Sequence, residues 1–295
     1  MPHQKRLEWL DCLRGYAIAA VVFVHLGLFT AGGRGVQLFF VASAISLMYA
    51  HARHGEEGAS AFFARRLFRI MPMLWLALVL FYLLDWFTTG HTPDRWQIVS
   101  TVMLLPSNAS YAWQDIAVPG SWSIVCEASF YILFPIVVVF TTTSRRAAIL
   151  LLASIAFAAA CLPVLVRLGL WTGARTVPLA HNFAFLSAPT QFPCFAVGLV
   201  AYMLFREQRP FARAAGWFGI FCVVALFVAV GDGVRLYLVW ITAFGLVAFA
   251  LANGHLGFLV NRPARLLGLI SHSVYYWRSL HRLFSVGTSV CGNQL

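Results

Sequence analysis

The chain has 295 residues, of which 61% are apolar, 15% aromatic and only 11% charged, and its formal net charge is +11. This composition excludes a soluble domain and predicts an all-α, polytopic helical transmembrane bundle, because apolar runs of about 17 to 25 residues fit membrane-crossing helices and not the short alternating segments of an outer-membrane barrel. The charge does not point to nucleic acid, since the arginines cluster between apolar runs, where they set topology.

The first apolar segment runs from about Gly15 to Thr30 and ends at the turn Gly32-Gly33-Arg34-Gly35. It opens on Arg14 and contains His25, two ionisable side chains that are expensive to bury unless function requires them. Eleven residues at about 100° each bring His25 to within about 20° of Arg14, so both share one helix face about 16 Å apart along the axis. A second segment, 35–50, leads to a stretch bearing Arg53, Arg65, Arg66 and Arg69. The positive-inside rule assigns that stretch, and the start with Lys5 and Arg6, to the cytoplasm.

The third segment, Met71 to about Phe87, exits near Asp85, His91 and Asp94. The run 98–106 has about nine residues, too short to span, and reads as re-entrant or interfacial. Segment 122–141 then comes inward to Arg145 and Arg146, 147–168 goes out, and 189–205 returns to Arg206, Arg209 and Arg213. Segment 214–231 leads out to Asp232, 234–252 comes back to Arg262 and Arg265, and Leu266 to about Val290 heads outward with Arg278 and Arg282 inside it. The expectation is about nine spans plus one re-entrant or interfacial segment, in one membrane domain over 1–295, with a cytoplasmic N-terminus. No internal repeat or low-complexity linker divides the chain.

Cys12, Cys126, Cys161, Cys194, Cys222 and Cys291 show no paired spacing and read as small apolar packing residues. No cleavable signal peptide is expected, because the first apolar segment carries Arg14 and His25 and lacks a small-residue cleavage site. The sequon at Asn108 carries no weight. The histidines His3, His51, His54, His255, His272 and His281 have no metal-ligand spacing, so no metal is expected. His91, His181 and Asp85 sit near the outer surface and read as solvated loop residues rather than an acceptor entrance.

Counting along the segments places His25 and Glu127 at similar depth near the outer side. A carboxylate paired with an imidazole fixes its tautomer and raises its basicity for proton abstraction. The competing reading is that each satisfies a neighbouring backbone or hydroxyl group. Arg66 and Arg69, with Arg65 beside them, share a helix face at i and i+3 at the cytoplasmic opening of the third segment. They suit bidentate contact with phosphate or pyrophosphate, or else serve as topological anchors. A cationic inner cluster and a polar outer pair fit a phosphate-bearing acyl carrier such as coenzyme A.

The stretches LDCLRGYAIAAVVFVH, GVQLFFVASAISLM, FFARRLFRIMP, GSWSIVCEASFYILFP and LGLISHSVYYW resemble, in the same order, the successive motifs of the acyltransferase 3 membrane family. That resemblance implies enzymes of the bacterial inner membrane that transfer an acetyl or other acyl group from acyl-CoA to a hydroxyl of a cell-surface or exported carbohydrate. Its Arg-x10-His motif falls on Arg14 and His25, its Arg-x-x-Arg motif on Arg66 and Arg69, and its membrane glutamate on Glu127. Ala128 stands where a second glutamate is common, and Arg278 where a histidine is usual. The family pattern also implies a further helix after the ninth span, which this chain is expected to lack.

The expected activity is O-acyl transfer. His25 is the general base or a transient acyl carrier, Glu127 orients it, and Arg14, Arg66 and Arg69 hold the donor phosphates. The rivals are a transporter or flippase of an anionic lipid or saccharide, which would carry an internal repeat and matched helix breaks, and an inactive, truncated family member.

Overall fold

The computed structural model describes residues 2–26, 33–54, 58–90, 92–104, 118, 120–165, 186–229 and 236–270. Among these residues there is helix and no strand. That is what an apolar chain adopts where water cannot satisfy its backbone groups. The helices are α1 Pro2–His25, α2 Gly35–His54, α3 Ala59–Thr89, α4 Arg95–Val102, α5 Ser121–Phe140, α6 Ser144–Leu165, α7 Ala188–Arg206, α8 Ala212–Ala229, α9 Tyr237–Ala252 and α10 Arg262–Leu269. A 3-10 turn, Gly257–Leu259, precedes α10.

Helices stand at the first eight expected segments, but only α2, α3, α5, α6 and α7 are long and apolar enough to cross a membrane. α8 and α9 are apolar but shorter, and α1 carries Lys5, Arg6, Glu8, Asp11 and Arg14 in its first half. The all-helical membrane architecture holds, and the count of nine is not established by it.

Several boundaries differ from expectation for one reason: polar turns extend helices beyond their apolar stretch. α1 starts at Pro2 and not Gly15, and α3 starts at Ala59 and not Met71. With 31 residues, α3 is about 46 Å long, longer than a hydrocarbon core of about 30 Å. It ends on Gly90, whose left-handed φ of 70° lets its N–H return to Trp86. The run after Asp94 forms only the eight-residue α4, too short to span and packed on α3. At the C-terminal side, α10 ends at Leu269 with Ile270 as its cap, and the rest of the segment expected from Leu266 to about Val290 lies outside the described residues. Arg278, Arg282, His91, His181, His272, His281, Asn108, Asp232 and Cys291 lie outside the described residues.

Side-chain pairs fix the helix directions. Phe40 meets Trp122, Ser43 meets Glu127 and His51 meets Phe134, so α2 and α5 run parallel. Phe62 stacks on Phe134 while Arg66 lies over Tyr131, so α3 runs against α5. Gly35 abuts Ala17 and Tyr49 meets Trp9, so α1 runs against α2. α7 runs parallel to α2, through Gln37–Gln191, Phe40–Phe195 and Tyr49–Tyr202. Ser144 at the start of α6 bonds Glu207 at the end of α7, and Phe227 meets Trp240 while Gly216 abuts Ala250, so α8 and α9 are antiparallel. Up–down alternation therefore holds from α1 to α9, with α4 outside it. Of the apolar windows, 67% of α2 and of α7 is buried against 6% of α6. α2 and α7 form the centre, and α6 leaves most of its apolar surface exposed.

α1 is also locked by α10. A Cβ on Gly15 would lie 1.8 Å from the Ala264 carbonyl oxygen, and one on Gly268 would lie 1.8 Å from that of Asp11. The two backbones touch, as small residues allow between membrane helices. Tyr16, bonded to the Leu259 carbonyl and to Asn261, and Arg265, paired with Glu8, close the same contact.

Candidate functional site

The centre of the candidate site is Glu127. Its residue is 4% exposed, and one oxygen, Oε1, accepts hydrogen bonds from Ser43 Oγ on α2 at 2.7 Å and from the Tyr131 hydroxyl one turn further along α5 at 2.5 Å. The Tyr131 ring lies 5.6 Å from the Arg66 guanidinium carbon, which is also 5.7 Å from the Phe62 ring. Such distances are those of cation–π contact. α3 thereby delivers Arg66 to the face of α5 that holds the carboxylate, and Arg69, one turn on, extends toward the Glu127 level because the two helices are antiparallel.

Arg14 completes the group from α1. It is 8% exposed, within electrostatic reach of Arg69, Asp11, Glu127 and Tyr131. Its ion pair to Asp11 is long, at 3.5 Å, and its Nε is buried with no hydrogen-bond partner. Among the described residues no arginine lies within ion-pair distance of Glu127, whose contacts are the two hydroxyls. Three guanidinium groups thus share one region with two carboxylates that do not bind them tightly. Arg65 is exposed and acts on Arg66 through space.

The expected pairing of His25 with Glu127 involves a side chain outside the described residues, but the helices around Glu127 are described. Ser43 lies about midway between Gly35, which abuts Ala17, and Tyr49, which meets Trp9, so Glu127 sits beside the α1 turn that carries Arg14. His25 is the last residue of α1, eleven residues or about 16 Å further along, and its side chain lies outside the described residues. α5 begins beside the second turn of α2, where Trp122 packs on Phe40.

Ser43, Tyr131 and Asp11 were not singled out in the sequence. Tyr131 at i+4 from Glu127 and Asp11 at i−3 from Arg14 carried a helical-neighbour signal; Ser43 carried none, since its partner is on another helix. A second buried polar group lies nearer the α2 N-terminus. There Gln37 bonds Gln191, and the Tyr237 hydroxyl contacts Cys194 and the Thr190 carbonyl. Between the two groups on α2, Phe40 stacks on Phe195, which in turn stacks on Phe130. Among the described residues, no group of three or more His, Cys, Asp and Glu side chains is placed to hold a metal ion.

Fold and site define a polytopic helical membrane protein with a buried carboxylate set among arginines. The chain belongs to the acyltransferase 3 family, whose model, described as an acyltransferase domain, matches residues 7–280. It is 28% identical to a protein of Komagataeibacter xylinus named "Putative membrane-bound transacylase BcsY", over 94% of this chain and 72% of that one. It is 24% identical to "Putative peptidoglycan O-acetyltransferase YrhL" of Bacillus subtilis, over 99% of this chain and 51% of that protein. The O-acetyltransferase OatA of Staphylococcus aureus is likewise 24% identical, over 92% of this chain and 50% of its own length. The chain thus spans about half the length of the last two. No solved structure gives a significant match. An acyl-transferring membrane enzyme is the class these matches define.

Proposed function

We propose that this protein is an O-acyltransferase of the bacterial inner membrane that moves an acetyl or other acyl group from acyl-CoA to a hydroxyl of a cell-surface or exported carbohydrate. The observation that carries the donor half is Arg14: a buried guanidinium with a hydrogen-bond-free Nε, grouped with Arg66 and Arg69. Buried polar groups left without a partner are costly, and charge-assisted contacts to phosphate oxygens satisfy guanidinium groups well. A pyrophosphate-bearing donor such as acyl-CoA fits that demand. The names of the relatives support O-acetyl transfer, and the peptidoglycan in one of them supports a carbohydrate acceptor.

The arginines lie toward the end of the bundle where Arg53, Arg145, Arg206 and Arg209 gather, which the positive-inside rule makes cytoplasmic, where acyl-CoA is found. His25 lies about 16 Å further outward on α1. In this reading His25 takes the proton of the acceptor hydroxyl, whose oxygen bonds the thioester carbonyl carbon. The carbon–sulfur bond breaks, and the coenzyme A thiolate leaves and takes up a proton. Glu127 acts on Arg14 and Arg66.

Purified protein in proteoliposomes, given acetyl-CoA labelled in the acetyl group and a muropeptide acceptor, tests the reading. Saturable label transfer that Arg14→Gln abolishes supports it; absence of saturable coenzyme A binding by the wild-type protein overturns it.

A further inference from the structure

We infer that Ser43 and Tyr131 are positioning residues that form a hydroxyl clamp, holding the Glu127 carboxylate off the arginines so that their guanidinium groups stay open to the phosphates of the donor. The inference rests on the acyl-CoA reading above. Both hydroxyls donate to the same oxygen, Oε1, from two different helices. This fixes the carboxylate's position relative to α2 as well as along α5. Glu127 lies within electrostatic reach of Arg14 and Arg66, yet among the described residues it makes no ion pair with either, and the Arg14 Nε has no hydrogen-bond partner.

A carboxylate in an apolar interior beside guanidinium groups is drawn to them strongly, and the attraction grows as the surroundings dry. Two short bonds from neutral hydroxyls to an ionised oxygen belong to the charge-assisted class. They resist that collapse and still leave the negative charge in place to balance the cluster while no donor is bound. Tyr131 adds a second restraint, since its ring lies over Arg66 while its hydroxyl holds Glu127. One side chain thus sets the spacing between the anion and the cation.

Clamp loss has a signature that loss of packing does not. In Ser43→Ala or Tyr131→Phe the freed carboxylate pairs with the arginines and competes with phosphate, so the dissociation constant for coenzyme A, measured by titration calorimetry in detergent, should rise about tenfold in each, the size typical of a hydrogen bond to a charged group. Placing either change in a Glu127→Gln background removes the competing charge. The double variants should then bind coenzyme A within about twofold of Glu127→Gln alone, because only the weaker neutral bonds remain to be lost. Tyr131→Phe keeps the ring over Arg66, so its effect reads the hydroxyl alone. Wild-type affinity in both single variants would overturn the inference, as would a loss that persists undiminished in the Glu127→Gln background. A wild-type protein that binds no coenzyme A would instead remove the donor reading on which the inference stands.

Discussion

At the scale of single residues, Arg14 and His25 divide the proposed reaction between them. Arg14→Gln should weaken coenzyme A binding by at least about tenfold, as expected for losing a charge-assisted contact, and Arg66→Ala and Arg69→Ala should act in the same direction. Unchanged donor affinity in all three would leave these arginines as topological anchors. His25→Ala should leave that affinity intact and lower transfer to the acceptor at least a hundredfold, the usual contribution of a positioned acid–base group; retention of activity within about tenfold would remove His25 as the base. Arg14, Arg66, Arg69 and Glu127 were legible in the sequence because ionisable residues in or beside apolar runs are conspicuous. Their grouping was legible only in part. Residue counting placed Glu127 with His25, whereas the α2–α5 contacts place it with Arg14. Ser43 gave no sign, because a serine in an apolar helix is ordinary until its cross-helix partner is known.

At the scale of elements, the contact of α1 with α10 holds the turn that carries Arg14. Gly15→Val and Gly268→Val each put side-chain atoms where a backbone carbonyl stands 1.8 Å from the ideal Cβ. Backbone cannot yield as a flexible side chain can, so each should cost about 3 kcal/mol or more and lower the thermal midpoint in detergent; a midpoint unchanged from wild type would mean that α10 does not pack there. The short turn between α5 and α6 has a different fastening. Glu207, beyond the end of α7, accepts bonds from the Ser144 N–H and hydroxyl at 2.6 Å each and from Arg209. The Ser144 bonds first, then Arg209, hold its carboxyl below the ordinary glutamate value. A depressed folded-state pKa adds stability that is present above the unfolded value and is lost as pH falls through the folded one. The protein should therefore lose stability on acidification below the ordinary glutamate range, and Glu207→Gln should lessen that loss. An acid dependence identical in the variant would show that other groups carry it. Neither fastening could be read from the sequence: one depends on two glycines some 250 residues apart meeting, the other on two turns lying side by side.

At the scale of the whole molecule, the turns that carry arginine converge. Glu207 ties the α5–α6 turn to the α7–α8 turn, His51 near the end of α2 meets Phe134 on the last turns of α5, and Arg265 pairs with Glu8 on the first turns of α1. Helix alternation was legible in the sequence because apolar runs and the arginines between them obey one simple rule. The central place of α2 and α7 was not, since it depends on which helices touch. The convergence makes a definite forecast for the protein in its membrane. Reporters inserted at Thr142, Gln208 and Gly254 should fluoresce or be labelled as cytoplasmic, and one at Gly90 as external, because an odd number of the alternating helices separates Gly90 from each of the others. A shared side for Gly90 and Thr142 would sink the alternation of α3 and α5 with α4 outside it. The same set fixes the side on which the arginine cluster meets its ligand. A cytoplasmic location is required if acyl-CoA is the donor, so an external reading at Thr142 and Gln208 would overturn the proposed topology and the proposed donor together.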